Sequence, residues 1–238
     1  MKVTFKIMRF DPTKDKEPRF KDYALDVNSE MTVLDALQEI KWYQDATLSY
    51  RRSCRSAICG SCAMCINGRN RLACYTSVVS LKTPVVTVSP LPGLPIIKDL
   101  IVDQTSFFRK YESVKPYLMP KGELPPKEIV QSPEERKLYD EPCLCILCGA
   151  CTAGCPISWA DPNYLGPAAL AKVWRFVGDS RDGERNMRLA LINNDEGVWR
   201  CHSIFRCTEA CPKKIDTGAI VQRLRREVVK EILGFRRH

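Results

Sequence analysis

Thirteen cysteines in 238 residues are where this chain could do chemistry, and they come in groups. Five fall between Cys54 and Cys74 and eight between Cys143 and Cys211. Cys54-x4-Cys59-x2-Cys62, with Cys74 farther on, is the plant-type ferredoxin spacing that holds a [2Fe–2S] cluster. Three thiolates on one tight loop would wrap the cluster, and a fourth would come from a neighbouring strand. Gly60 and Ser61 are small, which predicts backbone N–H groups close to the sulfurs; such bonds stabilise the reduced cluster and tune its potential. Arg51, Arg52 and Arg55 add positive charge nearby. The competing chemistry is structural zinc, which commonly uses two Cys-x2–4-Cys pairs. Cys65 lies outside the pattern, either as a small strand residue or as a substitute for Cys62.

Cys145-x2-Cys148-x2-Cys151-x3-Cys155-Pro156 is the bacterial ferredoxin run. In two-cluster ferredoxins its first three thiolates hold one cubane and the fourth crosses to the other. The partner run, Cys201-x5-Cys207-x3-Cys211-Pro212, has Ile204 where a second Cys would stand. Counting ligands separates the cluster types. Cys145, Cys148, Cys151 and the crossing Cys211 make four thiolates, hence [4Fe–4S]. Cys155, Cys201 and Cys207 make three, and the Ile204 side chain cannot ligate iron, hence [3Fe–4S]; the runner-up is a labile [4Fe–4S] with water or another ligand at the open iron. Cys143 has no ligand role and reads as a core thiol. Zinc could explain either run alone, but not readily two Cys-Pro-terminated runs together.

The rest of the chain must position these loops. Residues 3–9 and 23–27 alternate like half-buried strands. Thr32 and Asp35 resemble a capping box for a helix carrying Val33, Leu34, Leu37 and Ile40. Residues 62–66 and 71–75 flank Asn67-Gly68, a strong hairpin signal, and 85–88 is a further short strand. Ser89-Pro-Leu-Pro-Gly-Leu-Pro95 suits neither helix nor central strand and marks the boundary. Beyond it, helical periods are expected over 102–118, 166–177 and 216–233, with 116–142 a long surface loop. The expected fold is α+β, with a [2Fe–2S] ferredoxin domain over 1–100 and a helical domain carrying the other two clusters over 101–238.

Composition excludes several classes. The N-terminus has charges through it and no apolar signal core, so a reducing compartment with no targeting peptide is expected, and thiols that bind metal rather than form disulfides. No run of about 18 apolar residues occurs. The net charge of +9 and the cluster Arg223, Arg225, Arg226, Lys230, Arg236 and Arg237 raise nucleic-acid binding, but Glu227 and Glu231 interleave and no base-reading motif accompanies them. A solvated helix face near an anionic membrane is the expectation. Ligated thiolates and oxidised clusters would bring the loaded chain to a charge of about +3.

No catalytic triad, Walker loop or dinucleotide fingerprint stands out, and three unlike clusters read as an electron wire. The sequence resembles the iron–sulfur subunit of the succinate dehydrogenase/fumarate reductase family over nearly its whole length. The resemblance is carried by Ser53-Cys-Arg-Ser-Ala-Ile-Cys-Gly-Ser-Cys62, Asp99-Leu-Ile-Val-Asp103, Lys115-Pro-Tyr117, the two Cys-Pro runs, Gly166-Pro-Ala168 and Asp179-Ser-Arg-Asp182. It implies a β-grasp N-terminal domain and a ferredoxin-like helical C-terminal domain. It also implies an FAD-containing flavoprotein partner, a membrane anchor, and a peripheral place on the cytoplasmic face of a prokaryotic inner membrane. Electrons would run from FAD through [2Fe–2S], [4Fe–4S] and [3Fe–4S] to quinone; the alternative is quinol:fumarate reduction, the reverse reaction. The quinone would sit beside the three-iron cluster, with His202, Trp159, Pro156 and Ile204 as its candidate contacts. Ubiquinone-reducing members carry two Trp after Cys-Pro, the second lining the pocket; here Trp159 is followed by Ala160, which leaves room for menaquinone. The rivals are an electron-transfer subunit of another oxidoreductase and a DNA-binding protein with a structural cluster.

Overall fold

The structure is a computed structural model and describes residues 1–235. Arg236 and Arg237 of the basic cluster lie outside the described residues. The chain forms two compact units, one of Met1–Gln104 with Ile146–Gly154 and the other of Thr105–Cys145 with Cys155 onward. The units are therefore not the two unbroken stretches 1–100 and 101–238: a nine-residue segment carrying Cys148 and Cys151 belongs with the N-terminal one.

The first unit is built on a five-stranded sheet, β1 (Lys2–Arg9), β2 (Arg19–Asp26), β3 (Ala63–Ile66), β4 (Arg69–Leu72) and β5 (Val85–Ser89), in the order β2-β1-β5-β3-β4. β1 and β5 are parallel and the other pairs antiparallel. Val3, Phe5 and Ile7 alternate into the core, where the helix Val33–Tyr43 lays Val33, Leu34, Leu37 and Ile40. This is the expected β-grasp. The capping box is present: the Thr32 hydroxyl accepts from Asp35 N at 3.2 Å, and the Asp35 carboxylate accepts from Thr32 N at 3.0 Å. Asn67 and Gly68 both have positive φ, +48° and +73°, as a two-residue hairpin turn with the right twist demands.

Two strands differ from expectation. β2 begins four residues early, because Arg19 to Asp22 are exposed on both faces and show no alternation. β4 ends at Leu72, and Cys74 lies in a single 3-10 turn, Ala73–Tyr75, rather than on a strand.

The second unit is mostly helical. The helix expected over 102–118 is only Thr105–Ser113, since Ile101–Val102 are a strand and Lys115, at φ +50° before Pro116, cannot continue it. The stretch 116–142 is not all loop. Ser132 caps a turn at Pro133–Lys137 with Glu135, and a second turn spans Asp140–Cys143. The helix Pro167–Val177 buries Ala169, Leu170, Val173 and Val177 against Ile220, Val221, Leu224 and Val228 of the helix Thr217–Ile232. The apolar stripe of that last helix stops at Val228, because Ile232 is 62% exposed.

The motif Asp179-Ser-Arg-Asp182 makes two buried ion-pair centres. Asp179 accepts from Arg175, Arg181 and Gln131. Burial alone would raise its pKa, but hydrogen bonds from Arg181 and Arg175 win and hold it at about 2. Asp182 pairs with Arg188 where neither side chain is exposed. No helix among the described residues is long and apolar enough to cross a membrane.

Candidate metal centres

The loop of the first cysteine group is shaped to receive a negatively charged sulfur. Arg55 (φ +59°), Ala57 (+58°) and Gly60 (+73°) curl it so that successive N–H groups face inward. Cys54 Sγ accepts from the backbone N–H of Ser56 (3.4 Å), Ile58 (3.4 Å) and Cys59 (3.2 Å). These donors, Ser56 first, pull the exposed Cys54 thiol down to about 6. Cys62 is buried and accepts from Cys74 N at 3.5 Å; burial pushes its thiol up to about 12. The Cys59 N–H donates to Cys54 Sγ and the Cys74 N–H to Cys62 Sγ, and Cys74 and Cys59 also act electrostatically on Cys62. The structure thus gathers the four predicted thiols on one loop and the 3-10 turn beside it. Cys65 is held in β3, in register with Asn70 and Ser89, away from that loop.

The donors to sulfur are not the ones the small residues suggested. Gly60 has another task. A Cβ there would lie 2.8 Å from Cys148 Cβ and 3.0 Å from Ile146 O, so the absent side chain lets the 146–154 segment press against the loop. The same segment is pinned by Asn70 Nδ2, which donates to Ala150 O at 3.0 Å, and Cys148 and Ala150 sit in the first unit's core. Cys148 and Cys151 therefore belong to the first unit, and Cys145 and Cys211 to the second. Cys145 and Cys211 pack against the second core, and Cys211 Sγ accepts from Ile215 N at 3.4 Å. Cys143 is exposed, not a core thiol, and donates to Tyr139 O at 3.2 Å.

Within the second unit, Cys155, Cys201 and Cys207 line one pocket together with Pro156, Tyr164, His202 and Ile204. Burial, then the neighbouring Cys155 and Cys201, push the Cys207 thiol up to about 11. Cys201 Sγ accepts from Ser203 N at 3.4 Å. Ile204 presents an alkyl side chain to this pocket and is half exposed. The loop 198–203 is gripped from the last helix. Arg225 donates to Val198 O at 2.9 Å and to the carbonyls of Trp199 and Cys201, and Gln222 Nε2 reaches Ser203 Oγ at 2.9 Å. Arg225 is thus no part of a solvated basic face. His202 is exposed at the pocket. Trp159, on the turn Pro156–Ala160, is exposed and does not line it. Spacing gave no hint of Tyr164 or Arg225, whose roles exist only in three dimensions.

Among the described residues, no three Cys, His, Asp or Glu side chains converge as a single ion requires. Thiols with backbone N–H donors at their sulfurs, as at Cys54 and Cys201, are suited to iron–sulfur ligation.

Residues 4–109 match the family of the 2Fe-2S iron-sulfur cluster binding domain, and residues 131–215 match that of the 4Fe-4S dicluster domain. The succinate dehydrogenase iron-sulfur subunit of Coxiella burnetii is 43% identical over 96% of this chain and 98% of its own. The chain belongs to the succinate dehydrogenase iron–sulfur subunit family. Another such subunit, the mitochondrial succinate dehydrogenase [ubiquinone] iron-sulfur subunit 1 of Oryza sativa subsp. japonica, is 44% identical over 94% of this chain and 81% of its own. In three dimensions the chain is similar to a chain of the Mycobacterium smegmatis Sdh1 complex in the apo form. The TM-score is 0.87 at 28% identity, over 97% of this chain and 96% of that one.

Proposed function

We propose that this chain is the electron-transfer subunit of a succinate:quinone oxidoreductase, respiratory complex II, taking electrons from the FAD of a flavoprotein subunit and delivering them to quinone. The observation that carries this reading is full-length similarity to succinate dehydrogenase iron–sulfur subunits, in a chain whose thiols gather on loops with preformed N–H···S donors. Fumarate reduction is the less favoured direction, since the relatives are succinate dehydrogenases. When bound, the [2Fe–2S], [4Fe–4S] and [3Fe–4S] clusters supply the one-electron steps that link a two-electron donor to a two-electron acceptor.

The chain's own residues hold and insulate these groups. Cys54, Cys59, Cys62 and Cys74 are assigned to [2Fe–2S]. Cys145, Cys148, Cys151 and Cys211 are assigned to [4Fe–4S], and Cys155, Cys201 and Cys207 to [3Fe–4S]. Because burial raises the pKa values of the Cys62 and Cys207 thiols, loading must expel their protons, and assembly should be favoured by rising pH.

Ile204 decides the third cluster's type. In Ile204→Cys, EPR of the oxidised complex should lose the three-iron signal and the reduced complex should gain a second four-iron signal. An unchanged oxidised signal would remove Ile204 from the open corner.

The quinone end is assigned to the His202 side of the second unit, with Pro156, Ile204 and Trp159 near it and a membrane anchor completing the site. Peripheral attachment to the cytoplasmic face of the inner membrane follows from the same reading. The Trp159-Ala160 pair leaves menaquinone as a candidate acceptor. His202→Ala should slow quinone-linked turnover at least tenfold while succinate oxidation with a soluble artificial acceptor is kept. Equal loss of both activities would take His202 out of the quinone site. Extracting quinone from the purified complex identifies the acceptor, and the chains that co-purify identify the partners.

A further inference from the structure

We infer that Glu141 is a positioning residue of the [4Fe–4S] site: its carboxylate ties the segment leading into Cys145 to the turn that follows Cys211, and so keeps a backbone N–H aimed at the Cys211 sulfur. The inference rests on the ligand assignment proposed above. Cys145 and Cys211 are the two ligands of that set that the second unit supplies, and both pack against its core. Cys145 is reached through the turn Asp140–Cys143. Leu144 N donates to Glu141 O at 3.1 Å and Cys145 N to Pro142 O at 3.3 Å, so the turn runs straight into the ligand. The turn is anchored from behind. Tyr139 is fully buried, the Arg175 guanidinium lies 4.2 Å from its ring centre, and Trp174 Nε1 donates to Leu138 O at 2.9 Å. After Cys211 the chain turns through Lys214, at φ +58°. Two successive N–H groups then find different acceptors: Ile215 N donates to Cys211 Sγ at 3.4 Å, and Asp216 N donates to Glu141 Oε1. The Asp216 carboxylate is engaged elsewhere. It accepts from Ala219 N at 3.1 Å and Thr208 Oγ1 at 2.8 Å as it caps the helix Thr217–Ile232.

The two hydrogen bonds act on adjacent peptide groups, so fixing one orients the other. A carboxylate acceptor makes the bond at Asp216 N roughly twice as strong as a neutral one. Rotating the 214–216 backbone away from Cys211 would break it. Reduction of a cluster adds one electron, and its negative charge spreads onto the ligating sulfurs. An N–H aimed at such a sulfur stabilises the reduced state more than the oxidised, and these hydrogen bonds are among the levers that set cluster potentials. Groups that orient metal ligands from outside the ligand set also sustain the affinity of the site. Glu141 acts through the backbone of 215 and 216, not on the reacting atoms.

Glu141→Gln keeps an acceptor oxygen and loses the charge, whereas Glu141→Ala loses both. Neither variant has the carboxylate charge, so the difference between them reads the tie alone. Redox titration of the purified complex, followed by EPR, reads each cluster separately. At a fixed poise the oxidised-to-reduced ratio of the four-iron cluster should be about threefold higher in Glu141→Ala than in Glu141→Gln, which is about 28 mV downward for a one-electron couple. The other two midpoints should be the same in both variants. Loss of the four-iron signal in Glu141→Ala with its retention in Glu141→Gln also supports the inference, because the acceptor alone then rescues the site. Equal or reversed four-iron midpoints with full signal in both variants overturn it, and so does loss of the signal in both. If the unaltered complex shows no reduced four-iron signal, the cluster assignment itself has failed, which is a separate outcome.

Discussion

Arg188→Met is expected to destabilise the second unit by about 3–5 kcal/mol, the cost of breaking a buried ion pair from one side. The Arg188 and Asp182 side chains are both fully buried. The guanidinium donates to both Asp182 oxygens, at 3.0 and 2.8 Å. Its remaining N–H groups reach Lys115 O at 2.8 Å, Tyr117 O at 2.7 Å and Val114 O at 3.4 Å, and its charge lies 4.3 Å from the centre of the Phe176 ring. One cation thus closes the Lys115-Pro-Tyr117 loop onto the Asp179-Ser-Arg-Asp182 turn. Methionine fills a similar volume but leaves Asp182 ionised in the interior with only the Met119 and Glu184 N–H groups. Adding Asp182→Asn should recover part of the loss, since a neutral amide is cheaper to bury and still accepts. Denaturant unfolding of the cluster-loaded protein reads both numbers. A cost under about 1 kcal/mol for Arg188→Met would mean the pair behaves as a surface bridge.

The second large effect is at Gly60. Gly60 and Gly68 share a φ of +73°, but nothing lies within 4 Å of a Cβ built on Gly68, whereas on Gly60 it meets Cys148 and Ile146. Gly68→Ala should therefore cost only the left-handed strain, about 1–2 kcal/mol. Gly60→Ala should cost that plus overpacking of about 1–3 kcal/mol. The excess falls on backbone beside an assigned ligand of the [4Fe–4S] cluster. Iron content per chain and the reduced four-iron EPR signal should drop in Gly60→Ala and be normal in Gly68→Ala. Equal behaviour of the two variants would show that the approach of Cys148 is not what position 60 protects.

The capping box at Thr32, the Asn67-Gly68 hairpin and the helix Pro167–Val177 were legible because each is written in a few adjacent residues. The gathering of Cys54, Cys59, Cys62 and Cys74 was legible for a similar reason, since a ferredoxin loop is a spacing rule. What stayed hidden needed distant partners. Nothing around Tyr164 in sequence announces Cys201, 37 residues on, and Arg225 looked like one more basic residue until its donors met the carbonyls of the loop 198–201. The first half of β2 is invisible in the sequence because an exposed strand lacks the alternation that burial imposes. Smallness at Gly60 suggests room for a cluster, whereas the close approach there is to Cys148, which adjacent residues do not reveal.

The N-terminal unit borrows Ile146–Gly154 from far along the chain, and this orders its birth on the ribosome. When Gln104 has emerged, the sheet and its helix can form, but the core still lacks Cys148 and Ala150, and Leu91 and Val102 still lack Ala153. That unit is finished only after about fifty further residues have been made. Until then the ferredoxin loop lacks the segment that packs beside Gly60, and arrival of residues 146–154 completes that side of the unit.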